Sequence, residues 1–232
     1  MSLAIRHEGA IGTDGRHGAR RIVDAVTSRA WYLCVGFLTM IVLWAIAPAF
    51  FAPLDPGRID PRNRLLDPMA TSGEGRHLAG TGTLGVDLFS QMVYGARLTL
   101  FVAGVATAIG AVIGVMIGML AGYFRGWVDR ILMRLTEAQT AMPMFLVAIL
   151  LLSMLGPSVT ILIIVLPALV WPIFARVVRA ETMRVSEATY VEAAIATGCS
   201  TPTLLFRHVL PNVAPRIMVL AVIEVGHVML AE

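Results

Sequence analysis

Three ionisable residues that could take part in chemistry lie in otherwise apolar segments. Glu137 precedes a kink expected at Pro143, and Glu224 and His227 lie three residues apart in the last apolar segment. In a membrane, such residues can relay protons or line a polar pathway. The alternative is structural: Glu224 and His227 share one helical face and can pair, and Glu137 can pair with a nearby arginine. We favour the arginine pairing for Glu137, which lies close to the cytoplasmic end of its segment; for Glu224 and His227 both interpretations stay open.

The sequence contains no set of residues with the types and spacing of a catalytic site. Paired catalytic carboxylates, a metal-spaced His/Cys set and a nucleophile motif are all missing, and the five histidines are scattered. All 18 basic residues are arginine, so the lysine of a phosphate-binding P-loop does not exist in this chain. Cys34 and Cys199 do not suggest a disulfide framework and are expected to be free thiols. We therefore expect no enzyme, no metal and no cofactor bound by this chain.

The composition is that of a membrane protein. Hydrophobic residues make up 57% of the chain, charged residues 14%, and the mean hydropathy is +0.79. A soluble protein would carry about a quarter charged residues. The net charge of +3 comes from arginines beside the apolar segments rather than from one patch, which argues against a nucleic-acid partner.

The hydrophobic pattern predicts an all-α polytopic transmembrane helical bundle with about five spans. A polar segment, 1–30, precedes the first span. The expected spans lie at about 31–51, 98–124, 131–155, 159–178 and 213–232, with an external loop at 54–92 and a cytoplasmic loop at 181–212. The arginine-rich connections favour a cytoplasmic N-terminus and a cytoplasmic 181–212 loop.

Small residues recur every four positions in the second span. The members of this ladder are Gly110, Gly114, Gly118 and Gly122. They line one helical face, so a neighbouring helix can approach closely, and we interpret the ladder as a packing surface rather than a substrate path.

The polar segment between the fourth and fifth spans predicts two short helices. The residues from Glu187 to Thr197 favour a helix, and Gly198 is suited to end it. Ser200 or Thr201 can cap a second short helix with Pro202 at its first position, which must then finish before Pro211. Such a segment is too polar to cross a bilayer, and we interpret it as a binding site for another protein.

The segment resembles the EAA loop of permease subunits of binding-protein-dependent ABC importers. The resemblance is carried by Tyr190, Glu192, Ala193, Ala194, Gly198, Leu210 and Pro211. In that family the loop forms a coupling helix that docks into a groove of a cytoplasmic ATPase. The resemblance implies a polar contact for Glu192, close approach at Ala193 and Ala194, and an angle set by Gly198. The alternative is an ordinary interfacial pair of amphipathic helices.

A second stretch is similar to permeases of the dipeptide, oligopeptide and nickel type, in particular to the second, C-type permease. It runs from His77 through Gly80-Thr81 and Asp87 to Tyr94-Gly95-Ala96-Arg97. The pattern usually carries an acid after Gly-Thr and an arginine before the Asp, where Gly82 and Val86 stand here.

The resemblance implies an ATP-driven importer of the bacterial inner membrane that carries peptides or a related small solute. Its partners would be a homologous permease subunit, two ATPase subunits that hold ATP and Mg²⁺, and an external solute-binding protein, all assembled in the lipid bilayer. Such subunits have six spans, so the chain is expected to be truncated in its fifth. One alternative is a secondary, ion-coupled transporter using Glu137, Glu224 and His227; another is a membrane scaffold.

Overall fold

The structure is a computed structural model that describes residues 32–52, 54–73, 75–156 and 158–231. Its helices are α1 (Tyr32–Ile46), α2 (Pro48–Phe51), α3 (Leu88–Phe124), α4 (Gly126–Ala141), α5 (Met144–Leu155), α6 (Val159–Ser186), α7 (Thr189–Ala196) and α8 (Thr201–Ala231). Two short strands, β1 (Ala70–Ser72) and β2 (Gly75–His77), form an antiparallel hairpin. The predicted polar segment 1–30 lies outside the described residues.

The all-α membrane fold is confirmed. Among the described residues, α3, α6 and α8 are long and apolar enough to cross a membrane. The consecutive helices α4 and α5 qualify together as one broken span, and α1 is a shorter apolar helix. The chain divides into two compact units at the Arg97–Leu98 junction, inside α3.

The first unit contains a folded loop where the sequence predicted only an extramembrane connection. His77 is buried, and its Nδ1 lies 2.9 Å from a carboxylate oxygen of Asp87. Its Nε2 lies 2.9 Å from the hydroxyl of Ser72, so the imidazole joins the hairpin to the start of α3. Asp87 also accepts a hydrogen bond from the backbone N–H of Ser90 at 2.8 Å and thereby caps α3.

In the second unit, α3 and α6 pack in direct contact through the glycine ladder. A Cβ at Gly110 would lie 2.9 Å from the Cβ of Val170, and one at Gly122 would lie 2.8 Å from the Cβ of Thr182. The contacted residues of α6 advance by four with each glycine, so the two helices run in the same direction. Because no larger side chain fits, the ladder determines the distance between these helices.

The third predicted span, 131–155, is broken. The axes of α4 and α5 differ by 71° across the break before Pro143. On the neighbouring helix, Pro172 lacks the N–H that would bond the carbonyl of Ala168. The side-chain amide of Gln139 donates a 2.6 Å hydrogen bond to that carbonyl. A side chain at the break of one span thus satisfies the backbone at the kink of another.

Two predicted boundaries differ from the structure. The second span was expected to begin at residue 98, but α3 already begins at Leu88, directly after its Asp87 cap. The first span was expected to run to residue 51, but the helix is interrupted at Ala47, and Pro48 begins the separate helix α2.

The prediction that a second short helix ends before Pro211 is wrong. α8 begins at Thr201 and continues without interruption to Ala231. A π-helical stretch, Leu204–Val209, precedes the proline, and Leu210 N–H bonds the carbonyl of Leu205, five residues back. The wider π turn accommodates the ring and the missing N–H. The predicted loop 181–212 and span 213–232 therefore meet within one helix.

Candidate functional site

The predicted coupling segment, residues 187–211, begins with helix α7, which exposes one face. In α7, Val191 is fully buried, whereas Tyr190, Glu192, Ala193 and Ile195 are exposed. Ala194 is half-buried and packs against the core. Val191 and Ala194 thus anchor an eight-residue helix whose other side is accessible to a partner.

Gly198 ends α7, as the sequence predicted. Its φ is +81°, a conformation that favours glycine. The N–H of Gly198 bonds the carbonyl of Ile195, and the N–H of Cys199 bonds that of Ala194, at 2.9 and 3.1 Å. These two bonds form a Schellman motif, which fixes the direction in which the chain leaves α7. Ser200 then stands at the N-cap of α8, with Pro202 in its first turn.

Beneath α7 lies a hydrophobic cluster, which we term the coupling-end cluster. Its buried members are Met119, Val178, Val185, Val191, Leu204, Leu205, Val209 and Val213. They come from α3, α6, α7 and α8, so the short helix shares a core with three membrane-length helices. Leu210 is half-buried against this cluster, and Pro211 is exposed. Because protein cores are close-packed, a displacement of α7 must be passed to those helices.

Charged residues surround the same end of the unit and form what we call the ionic cluster. Asp129 of α4 binds Arg179 of α6 through both carboxylate oxygens, with one N–O distance of 2.6 Å. Arg125, in the turn before α4, lies 2.7 Å from Glu187, just before α7. This turn and the coupling segment therefore lie at the same end of the unit.

Glu181 is the buried member of the ionic cluster. It pairs with Arg184, one turn later on α6, at 3.0 Å, and with Arg216 of α8. The carboxylate is buried while both guanidinium groups are more than half exposed. Glu181 thereby ties α8 to α6 three to four turns after α8 begins.

The three ionisable residues of the apolar segments have different environments. Glu137 is exposed, and in the part of the chain that the structure describes it makes no ion pair, so the favoured arginine pairing is not found. Glu224 is buried, and His227 Nδ1 lies 3.4 Å from its carboxylate. The two residues are close enough to pair, which was one of the two interpretations left open, and Glu137 lies apart from them on another helix.

Several residues of this region were not singled out in the sequence. Asp129, Glu181 and Arg216 were missed as ion-pair partners, and the contact of Gln139 with α6 was not predicted. The spacing of Glu181 and Arg184 was a usable signal, since residues three apart on a helix are neighbours. The pairs between helices have no sequence signature. Cys34 and Cys199 are free thiols, as predicted.

The second half of the chain matches the model of a transporter family. Residues 114–232 match the binding-protein-dependent transport system inner membrane component. The matched range contains most of the glycine ladder, the ionic cluster and the coupling segment. The chain belongs to this family, and it is a multi-pass membrane protein.

Individual relatives carry names of peptide-type transporters. The probable peptide ABC transporter permease protein y4tQ of Sinorhizobium fredii is 40% identical over 184 residues, which cover 79% of this chain and 61% of the relative. The glutathione transport system permease protein GsiD of Pectobacterium atrosepticum is 31% identical over 97% of this chain and 72% of its own length. GsiD of an Escherichia coli O157:H7 strain is 34% identical over 82% and 61%. The resemblance to peptide-type ABC permeases is confirmed, and the chain spans 61% to 72% of these relatives' length.

Proposed function

We propose that this chain is a membrane-spanning subunit of an ATP-driven importer and forms half of the translocation pathway for peptides or a related small solute. The observation that carries the proposal is the exposed face of α7 above a core shared with α3, α6 and α8. A partner that binds this face would move three membrane-length helices together. Family membership and the names of the relatives support the same function.

The proposed partner at this face is a cytoplasmic ATPase that holds ATP and Mg²⁺. Glu192 would make a polar contact in the ATPase groove, and the exposed Ala193 would allow close approach. Tyr190 adds a half-exposed aromatic side chain, a residue type enriched at interfaces. This chain lacks lysine, so the nucleotide is proposed to bind to the partner through its own P-loop. A homologous permease and an external solute-binding protein would complete the importer.

We propose that three parts of the chain face the cytoplasm: the coupling segment, the turn at Arg125 with the start of α4, and the N-terminus. The parallel packing of α3 and α6 brings this turn and the coupling segment to one end of the unit. That end carries Arg125, Arg130 and Arg134 together with Arg179 and Arg184, as the positive-inside rule requires of a cytoplasmic surface.

Co-purification tests the proposal. The affinity-tagged chain is expressed with the ATPase, permease and binding-protein genes that neighbour its own, and the membrane complex is isolated in detergent. Recovery of the ATPase is expected to fall at least tenfold on Glu192→Arg, which places a cation where the carboxylate docks, and on Gly198→Pro, which removes the Schellman geometry. Asp67→Arg, the same class of substitution in the other unit, is the matched control.

The outcomes separate the candidate functions. Equal ATPase recovery with wild type, Glu192→Arg and Asp67→Arg would contradict the coupling role of α7. Transport by the chain without any ATPase, driven by an ion gradient, would replace the importer with a secondary carrier.

A further inference from the structure

Glu224 and His227 of α8 form a polar pair that the coupling mechanism does not use. The Glu224 residue is 4% exposed, and its side chain lies 3.4 Å from Nδ1 of His227. The His227 side chain is 65% exposed. The buried carboxylate is thus reached from outside the unit through an accessible imidazole.

The surroundings of the pair are apolar. On one side lies a second hydrophobic cluster, which we term the far-end cluster. It consists of Val102, Ala103, Ala106, Leu166, Val170, Phe174 and Val228. On the other side, the exposed residues of α8 are large and apolar: Val219, Val222, Ile223 and Leu230. Within the described residues, Glu224 has no arginine partner, and the two nearest arginines along α8 are Arg216, held by Glu181, and Arg207.

A membrane environment makes this arrangement costly if His227 faces lipid. A carboxylate or a histidine in the hydrocarbon region is stabilised by a protein partner or by water. Glu224 has its partner in His227, but the exposed part of the imidazole has none in the described chain. The exposed side of the pair therefore favours an aqueous or protein-lined space.

The position along α8 places the pair away from the coupling end. Glu224 is 23 residues after Thr201, about 35 Å along a helix at 1.5 Å per residue. The hydrocarbon core of a bilayer is about 30 Å thick. With the start of α8 at the cytoplasmic side, the pair lies in the outer half of the membrane, where an imported solute arrives first.

We infer that Glu224 and His227 form a cation-selective subsite in the outer half of the translocation pathway, which binds the ammonium group of a transported peptide. The inference rests on the proposed importer function. Nδ1 of His227 lies 3.4 Å from the Glu224 carboxylate, which leaves Nε2, on the other side of the ring, as the atom that can accept a hydrogen bond from a ligand. The ammonium group donates to Nε2, and the charge of Glu224, unmatched by an arginine, selects for a cation.

Cysteine accessibility tests the subsite without knowledge of the substrate. In the assembled complex, Cys34 and Cys199 are replaced by serine, and His227→Cys is treated with two methanethiosulfonates of similar size, one bearing a trimethylammonium group and one a sulfonate. We expect His227→Cys to react about tenfold faster with the cationic reagent. Adding Glu224→Gln should abolish this preference, because it removes the charge but keeps the side-chain shape.

Met218→Cys is the matched control. Met218 lies on α8, is 68% exposed, and lines the apolar groove between α3 and α8. Charged reagents should modify it slowly and with no dependence on Glu224. The inference is overturned if His227→Cys reacts as slowly as Met218→Cys, or if its charge preference is unchanged in Glu224→Gln.

Uptake of radiolabelled dialanine into proteoliposomes tests the ammonium ligand. With saturating binding protein, Glu224→Gln and, separately, His227→Gln should each lower the uptake rate about tenfold, the size of a lost hydrogen bond to a charged group. Recovery of the ATPase with the complex should match that of the wild type, since the coupling segment is unaltered. Unchanged uptake in both variants overturns the inference, whereas absence of ATP-dependent dialanine uptake in the wild type contradicts the peptide substrate of the proposed function instead.

Discussion

At the scale of single residues, the glycines of α3 determine how closely α6 can approach. A Cβ at Gly118 would lie 2.6 Å from the carbonyl oxygen of Ala175 and 2.8 Å from the Cβ of Val178. The nearer of these atoms belongs to the backbone, so the clash cannot be relieved by a rotamer change. By contrast, a Cβ at Gly104 on the same helix would meet nothing within 4 Å.

We therefore expect Gly118→Ala to lower the free energy of unfolding by about 1–3 kcal/mol, the usual cost of overpacking. Gly104→Ala should be neutral or slightly stabilising, because alanine is the better helix former. The midpoint of thermal unfolding of the purified protein in detergent compares the two variants. Equal midpoints would show that α3 and α6 do not pack as described.

Burial also distinguishes the carboxylates of the ionic cluster. Glu181 has a side chain only 10% exposed and contacts two arginines, whereas the Glu187 side chain is 67% exposed and contacts Arg125. A buried carboxylate that loses its charge leaves its partners unsatisfied, but an exposed pair is weakened by water and salt.

We predict that Glu181→Gln costs about 2 kcal/mol of unfolding free energy, in the range of hydrogen bonds to charged groups. The matched variant Glu187→Gln should cost less than about 1 kcal/mol. Chemical denaturation monitored by tryptophan fluorescence measures both. If Glu187→Gln is the more damaging variant, the assignment of Glu181 as the interhelical tie is wrong.

Asp87 gives the loop of the first unit a dependence on pH. Burial raises the pKa of this carboxyl, but hydrogen bonds from the side chain and backbone of Ser90 and the nearby His77 outweigh it, so the pKa lies below its ordinary value of 3.8. A lowered folded-state pKa contributes stability above 3.8 that is lost as the pH falls through the folded-state value.

Hydrogen exchange at single amides checks this pH dependence. The N–H of Ser90 bonds the Asp87 carboxylate, whereas the N–H of Gln91 bonds the Asp87 backbone carbonyl. After correction for intrinsic exchange rates, we expect protection of Ser90 to fall as the pH is lowered below 3.8 and through the lower folded-state pKa. In Asp87→Asn the Ser90 amide should no longer respond to pH in this range. A larger acid response at Gln91 than at Ser90 would refute the role of the carboxylate.

At the scale of elements, a hydrogen bond connects the end of α4, where its span is broken, to the proline kink of α6. Pro172 leaves the carbonyl of Ala168 without its helical donor, and Gln139, two residues before the end of α4, provides one at 2.6 Å. A cavity of about 250 Å³ adjoins this contact and is lined by Thr140, Met142, Pro143, Ala168 and other residues of the two helices. The hydrogen bond thus couples the break between α4 and α5 to the kink of α6.

A double-mutant cycle isolates this coupling. Gln139→Leu should cost about 1 kcal/mol of unfolding free energy in the wild-type background, because it leaves a partly buried carbonyl unpaired. In the Pro172→Ala background, the alanine N–H can bond Ala168, so the same Gln139→Leu change should cost almost nothing. Detergent unfolding of the four proteins gives the interaction energy, and a value near zero would mean that Gln139 does not compensate for the proline.

At the scale of the whole molecule, the coupling segment can bind a cytoplasmic ATPase only if it faces the cytoplasmic side of the membrane. The structure brings Arg125, Glu187 and the start of α8 to one end of the second unit. Cys199, at the end of the Schellman motif, is a free and partly exposed thiol next to the proposed docking face.

We predict that a membrane-impermeant maleimide labels Cys199 in inverted membrane vesicles but not in intact spheroplasts. Cys34→Ser removes the second thiol, so all labelling of this variant reports on Cys199. The Cys199→Ser variant, which retains only Cys34, serves as the reciprocal control. Labelling of Cys199 from outside the cell would place the docking face on the wrong side for an ATPase.

The sequence by itself determined those features that depend on local chemistry and periodicity. A repeat of four residues specified the packing face of Gly110 to Gly122, because the helical period is 3.6. The end of α7 at Gly198 was equally readable, since a left-handed residue after a helix favours glycine. The i, i+3 spacing also placed Glu224 beside His227. The coupling segment could be located from residue types and their order.

Only the tertiary structure decided which distant residues meet. The pairs of Glu181 with Arg216 and of Gln139 with Ala168 join residues 35 and 29 positions apart, and no local pattern encodes such contacts. Propensity also failed at Pro211, because the rule that proline ends a helix assumes regular α geometry, and the π turn before it changed that geometry. Packing between helices supplies the free energy that overrides a local preference, and it arises only when the whole bundle is assembled.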